Sequence, residues 1–286
     1  MAPSPEVGVA VISRDRRDTL LSTLERLRAL PQRPPIVVVD DGSRDGTADA
    51  VRRRFPDVRV QRLEDPAGAA ARTLAVRLLD TPLVAFADDD SWWAPDALDL
   101  IADAFAASPR LGLVAARVLV GAEQRLDPTC EAMRTSPLTD GEPPGPRVLG
   151  FVACGSAVRR EAFLAVGGYR HGLGVGGEES LLSIDLAAAG WELRYLDAAV
   201  AHHHPDAGAP RPGREVTQRR NALWVLWLRR PARIALAGTA RALQRGPAGR
   251  RALLAALRGA PRVLADRRRV PEPVERDLRR LEAAGG

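Results

Sequence analysis

The chain of 286 residues has no lysine, so all 42 of its basic residues are arginine. That uniform usage follows genome composition rather than selection for guanidinium chemistry. It has only two cysteines, Cys130 and Cys154, too few and too isolated for a disulfide framework or a CxxC metal site, so a reducing cytoplasm is the expected setting. Aromatic residues make up 4% and no nucleic-acid recognition motif is present, so the net charge of +6 does not point to a nucleic-acid partner. No run reaches the roughly 18 apolar residues of a membrane span. The opening MAPSPEV lacks the basic and apolar regions of a secretory signal.

Against these absences, 45% of the residues are hydrophobic, enough for a large core. The charge is divided unevenly. Residues 1–208 carry 23 arginines against 30 acids, a net of −7, and residues 209–286 carry 19 against 6, a net of +13. The expected organisation is a catalytic domain over 1–230 and a basic helical extension over 231–286.

Apolar runs alternate with helical patterns. Strands are expected at Val7–Ile12, Ile36–Val39, Val58–Leu63 and Leu83–Ala87, and later at Leu111–Val120, Val148–Val158 and Leu193–Ala201. Helices are expected from a cap at Asp18 or Thr19, from Thr47 to Phe55, Ala69 to Leu79, Pro95 to about Ala107, Arg160 to Val166 and Glu178 to Ala189. Asp127–Pro146, rich in Pro, Gly, Thr and Ser, reads as a binding loop or lid. After Pro212 the pattern is helical and broken by Pro231, Pro247, Pro261 and Pro271. The alternation predicts an α/β, doubly wound, mostly parallel sheet with helices on both faces. In such sheets ligands sit at the carboxyl ends of the strands.

Acidic clusters fall at two of those ends. Asp88-Asp89-Asp90 repel one another unless a cation or protons intervene, and a divalent ion carrying phosphate oxygens meets that need. A solvated turn is the plainer alternative. Asp40 and Asp41 can accept hydrogen bonds from a base or ribose, or can form an Asx turn before a helix. Glu178-Glu179 follow the glycine-rich HGLGVGG and suit base chemistry, or merely the dipole of a helix start. His202, His203 and His204 suit metal ligation or a surface turn, and strand alternation separates His203 from the other two. Arg72, among small residues at a helix start, can reach a diphosphate or sit exposed. Trp92 and Trp93 read first as packing.

Taken together, VAVISRDR, IVVVDDGSRDGT, PAGAAARTLAV, FADDDSWWAP, GFVACGSAVRREAFLAVGGY and GGEESLLSIDLAAAGWELRYL resemble, in order and spacing, glycosyltransferase family 2 over about residues 7–230. The resemblance implies the GT-A fold and an inverting, hexosyltransferase-like enzyme with a DxD motif. Its donor would be a nucleoside-diphosphate sugar and its acceptor a saccharide, lipid-linked or other hydroxyl, in cell-envelope or polysaccharide synthesis. It assigns Ser13, Arg14, Asp40 and Asp41 to the nucleoside, Arg72, Asp88 and Asp89 to the donor, and Mn²⁺ or Mg²⁺ to Asp90, Asp88 and a histidine, His202 before His203. It places the base at Glu179, where the family more often has Asp, leaving Glu178 and Asp185 as alternatives. Thr73 stands where Asn is usual. Arg72, with Arg219 or Arg220, would add to the neutralisation of charge on the diphosphate. A non-catalytic nucleotide-sugar binder and a nucleotidyltransferase are the rival readings. The basic extension suits contact with the inner face of an anionic membrane.

Overall fold

The computed structural model describes residues 6–205 and 213–284. Its first half runs β1 (Val7–Ser13), α1 (Arg17–Arg28), β2 (Ile36–Asp40), α2 (Thr47–Arg54), β3 (Arg59–Arg62), a 3-10 turn at Gly68–Ala70, α3 (Ala71–Leu78) and β4 (Leu83–Asp88). The four strands lie in the order β3-β2-β1-β4, all parallel. β2 is buried at every position, so both faces of the sheet are covered there, which explains its unbroken apolar run. In α1, Leu20, Leu24 and Leu27 are buried at helical spacing, each contributing about 2 kcal/mol of apolar transfer. The helix starts one residue before the expected cap. Arg16 is the N-cap, and Asp18 lies in the first turn, paired with Arg17.

The second half runs β5 (Ser91–Trp93), α4 (Ala97–Ala107), β6 (Leu111–Val120), β7 (Arg125–Leu126), α5 (Pro128–Arg134), a 3-10 turn at Ala153–Gly155, β8 (Ser156–Arg159), α6 (Arg160–Ala165), α7 (Glu178–Ala188) and β9 (Glu192–His203). The sheet continues β4-β8-β6-β9-β5. β8 is antiparallel to both neighbours, β6 and β9 are parallel, and β5 is antiparallel to β9, so this half is mixed. Two local expectations change. Strand extends only over Ser156–Arg159, because the 3-10 turn precedes it and Gly155 packs where a Cβ would collide with Val118 Cγ2. The expected loop 127–146 opens with α5, since Asp127 accepts a hydrogen bond from the Thr129 N–H (2.7 Å) and Pro128 begins the helix.

Beyond these lie α8 (Arg214–Arg229), α9 (Ala232–Gln244), α10 (Gly246–Arg258), α11 (Ala260–Ala265) and α12 (Glu272–Ala284). Pro247 and Pro261 occupy first turns, starting helices rather than breaking them. A second apolar cluster joins Leu173, Leu181 and Ile184 to Leu228, Leu253 and Val274. The C-terminal helices therefore support α7 and α8. The buried Arg230 closes this layer against Glu275 at 2.8 Å.

Candidate active site

Parallel register decides where the acids meet. Ser13 is level with Asp40, and Ile12 with Asp88. The turns after β1, β2 and β4 therefore share one rim, and a cleft of about 1010 Å³ opens above it. Ser13, Arg14, Asp41, Arg72 and Asp88–Asp90 line the cleft, as do Glu178, Glu179 and His203. Asp40 and His202 do not.

On the β1–β2 side, Asp40 is buried beneath its turn and its Oδ1 accepts from the Ser43 N–H (2.9 Å). This is the Asx turn, the plainer of the two roles open to that residue. Asp41 accepts from the Ala67 N–H (2.6 Å) and the Gly68 N–H (3.0 Å), and so ties the loop before α3 to the cleft. Gly42, which follows, has φ +80°, which a side chain rarely adopts. Arg14 is half exposed beside Asp15.

The acidic run divides into three environments. The Asp88 carboxylate accepts from Arg72, whose guanidinium is buried 5.7 Å from the Tyr169 ring. Asp89 is buried, with Arg16 Nε 3.2 Å from its Oδ1. Burial pushes its carboxyl up to about 7, with Arg16 and Ser13 opposing the rise. Asp90 meets Arg16 Nη2 at 3.1 Å and His203 Nε2 at 3.4 Å. Burial alone would raise the Asp90 carboxyl, but the bond to His203 and the charges of His203 and Arg16 hold it below its usual value. His203 moves the other way: burial opposes its proton, and Asp90 retains it.

The two histidines expected at the metal, His202 before His203, lie in different surroundings. His202 turns away, its Nδ1 2.6 Å from Gln124 Oε1 and its ring stacked on Trp92 at 5.5 Å. β5 pairs with β9 so that Trp92 is level with His202 and Ser91 with His203. Alternation then sends His203 to Asp90. His204 also rests on Trp92, at 4.7 Å, while Trp93 is buried in the core. Among the described residues no group of three His, Cys, Asp or Glu side chains is arranged to hold a metal. The pair Asp90 and His203 nevertheless fits neighbouring positions on one ion. Ligand bonds of about 2.1 Å at right angles separate two donors by roughly 3 Å, close to the observed 3.4 Å.

Across the cleft, α7 follows its N-cap Gly177 and opens with both glutamates. Glu178 is buried, and its Oε2 has no hydrogen-bond partner. Glu179 is half-buried, and burial together with the neighbouring Glu178 charge pushes its carboxyl up to about 7. Asp185 is tied to Arg229, away from the cleft lining, so it is not placed as a base. Arg219 pairs with Glu215 at 2.7 Å, and Arg220 donates to the carbonyls of Gly172 (3.1 Å) and Leu173 (2.8 Å). Neither lines the cleft, which corrects their expected role at the diphosphate.

Sequence reasoning missed Asn221 and Arg16. Asn221 is fully buried, and its amide donates to Leu173 (2.6 Å), Val175 (3.2 Å) and Gly176 (2.6 Å) carbonyls, holding the glycine-rich loop that leads to Glu178. No local signal marks it. Arg16 is one of three arginines in SRDRR, and only register selects it. Cys154 lines the cleft, where burial pushes its thiol well up and so disfavours the thiolate, and both cysteines are free.

A cleft at the carboxyl ends of parallel strands, with acids on one wall and two glutamates on the other, has the form of an active site of the α/β class. The family model described as "Glycosyl transferase family 2" matches residues 8–167, and the chain belongs to that family. It is 30% identical over 115 residues to the succinoglycan biosynthesis protein ExoU of Rhizobium meliloti (strain 1021), a match spanning 36% of this chain and 34% of that protein. Its fold is similar to that of GalNAc-T7 with UDP, GalNAc and Mn²⁺, with TM-score 0.60 and 17% identity over 80% of this chain and 48% of that one. It is also similar to the mannosyltransferase PcManGT from Pyrobaculum calidifontis in complex with GDP-Man and Mn²⁺, with TM-score 0.58 and 22% identity over 100% and 77%. S. aureus TarS 1-349 with UDP-GlcNAc gives TM-score 0.60 and 14% identity over 77% and 66%. The sheet and its helices are thus those of a GT-A glycosyltransferase. Among the described residues no helix is long and apolar enough to cross a membrane.

Proposed function

We propose that the chain transfers a sugar from a nucleoside-diphosphate sugar to an acceptor hydroxyl with inversion at the anomeric carbon. The observation that carries this reading is the convergence of the Asp90–His203 pair, Arg72 and Glu179 on one cleft. Asp90 and His203 would hold Mn²⁺ or Mg²⁺, which supplies charge neutralisation for the leaving diphosphate. Glu179 accepts the proton of the acceptor hydroxyl. The freed oxygen then bonds to the anomeric carbon as its bond to the diphosphate breaks, and that electron pair departs with the nucleoside diphosphate. Arg72 holds Asp88 and stands ready to meet the diphosphate. Ser13, Arg14 and Asp41 line the nucleoside end. A base with raised proton affinity favours an enzyme over a non-catalytic binder. The segment similar to a protein named for succinoglycan biosynthesis supports an acceptor in polysaccharide synthesis.

A thermal-shift screen of UDP- and GDP-sugars, each with and without Mn²⁺, tests the donor reading. One donor class should raise the Tm, and more so with Mn²⁺. No shift with any of them at millimolar concentration would sink it.

On this reading residues 1–230 carry the chemistry, and 231–286 buttress α8 and face a membrane. Leu236, Leu243, Leu254, Leu257 and Leu264 on α9–α11 are 50–70% exposed, and Arg241, Arg250, Arg251 and Arg258 lie among them. Apolar side chains set among cations match an anionic lipid surface. The protein should float with phosphatidylglycerol vesicles and not with phosphatidylcholine vesicles. The double variant L254E/L257E should stay at the bottom of the gradient. Equal flotation of both forms would exclude this surface.

A further inference from the structure

The acidic run has a partner that the proposed transfer leaves unused. Arg16 lays its guanidinium across two carboxylates at once, Nε 3.2 Å from Asp89 Oδ1 and Nη2 3.1 Å from Asp90 Oδ2. His203 faces the other oxygen of Asp90 at 3.4 Å. Both oxygens of Asp90 are therefore engaged by side chains of the protein itself.

This placement is built into the backbone. β1 pairs with β4, so the turn after β1 overhangs the acidic run. Asp15 takes φ 52°, a conformation that Asp tolerates, and reverses the chain. Its N–H donates to Ser43 Oγ (2.9 Å), its Oδ1 accepts from the Arg44 N–H (2.7 Å), and the Arg17 N–H donates to Asp45 Oδ2 (3.0 Å). Three bonds to the next turn fix the backbone on both sides of Arg16. Its freedom is therefore confined to the side chain, which is 22% exposed at the cleft.

A divalent ion arriving at Asp90 meets this guanidinium, and the two cations repel at close range. A diphosphate offers the guanidinium another anionic partner, since its oxygens match the planar fork, while the arriving ion takes over the charge of Asp90. We infer that Arg16 is a tethered counter-cation that guards Asp90 until a nucleoside diphosphate draws it off, so that metal binding depends on nucleotide binding. This rests on the reading of Asp90 and His203 as the metal pair. By linkage the coupling is reciprocal: Mn²⁺ raises nucleotide affinity by the factor by which nucleotide raises Mn²⁺ affinity.

The test measures free Mn²⁺ by electron paramagnetic resonance in titrations of the full chain, alone and with UDP or GDP. The wild type should bind Mn²⁺ weakly alone and about tenfold more tightly with one of the two nucleotides. Arg16→Gln should bind Mn²⁺ about tenfold more tightly than wild type in the absence of nucleotide, and the nucleotide should then add less. Arg16→Lys, which retains the charge, should keep the weak nucleotide-free affinity. The proposal is overturned if Arg16→Gln binds Mn²⁺ no better than wild type without nucleotide, or if Arg16→Lys binds it as tightly as Arg16→Gln. Should His203→Ala leave Mn²⁺ affinity unchanged in every condition, the metal reading itself fails and Arg16 guards nothing. A thermal melt of each variant confirms that folded protein was titrated.

Discussion

Glu179→Gln is expected to lower kcat by about a thousandfold while leaving donor affinity within a factor of about two, because a general base contributes roughly 10²–10⁴-fold and amide and carboxylate are nearly isosteric. Donor affinity is read by thermal shift or calorimetry, and transfer by release of the nucleoside diphosphate. The wild-type pH profile should carry the same residue's signature. The base works only when ionised, and its carboxyl is pushed up to about 7 by burial and by Glu178. Well below that pH the ionised fraction falls tenfold per unit, so kcat/KM should drop about fiftyfold from pH 7 to pH 5 and level off above about pH 8. Glu178→Gln removes the neighbouring charge, so its acidic limb should shift to lower pH with most activity retained at pH 8. Wild-type transfer by Glu179→Gln, together with a dead Glu178→Gln, would move the base to Glu178.

A second large effect is expected at the other wall. Asp90→Ala and His203→Ala should each cost about a hundredfold or more in Mn²⁺-supported transfer, the scale of losing charge stabilisation on a leaving group. His202→Ala should stay within about threefold, because its ring lies on Trp92 and its Nδ1 faces Gln124. Initial rates across a Mn²⁺ titration separate the two cases. If His202→Ala lost as much as His203→Ala, the register of β5 against β9 would have to be different.

The parts of the site carried by local pattern are legible in the amino-acid sequence. An apolar run buried on both faces, as in β2 or β4, shows where a parallel strand ends, and the acids at 40–41 and 88–90 mark those ends. Helix periodicity locates α1, and the acids that open it after the glycine-rich run locate α7. Composition misleads at 127–134, because Asp-Pro-Thr opens both turns and helices and nothing nearby distinguishes them. It misleads again at Val148–Val158, where the close packing of Gly155 on Val118 belongs to the tertiary structure.

By itself, then, the sequence determined the family, the parallel half of the sheet, the acidic rim and the pair of glutamates opposite, because each is written in residues adjacent along the chain. Only the tertiary structure decided that His203 rather than His202 faces Asp90, that Arg16 spans Asp89 and Asp90, and that Asn221 holds the loop before Glu178. Those choices depend on which strand lies beside which and in what register. A shift of one residue turns a side chain to the opposite face, and contacts between segments distant in sequence set that register.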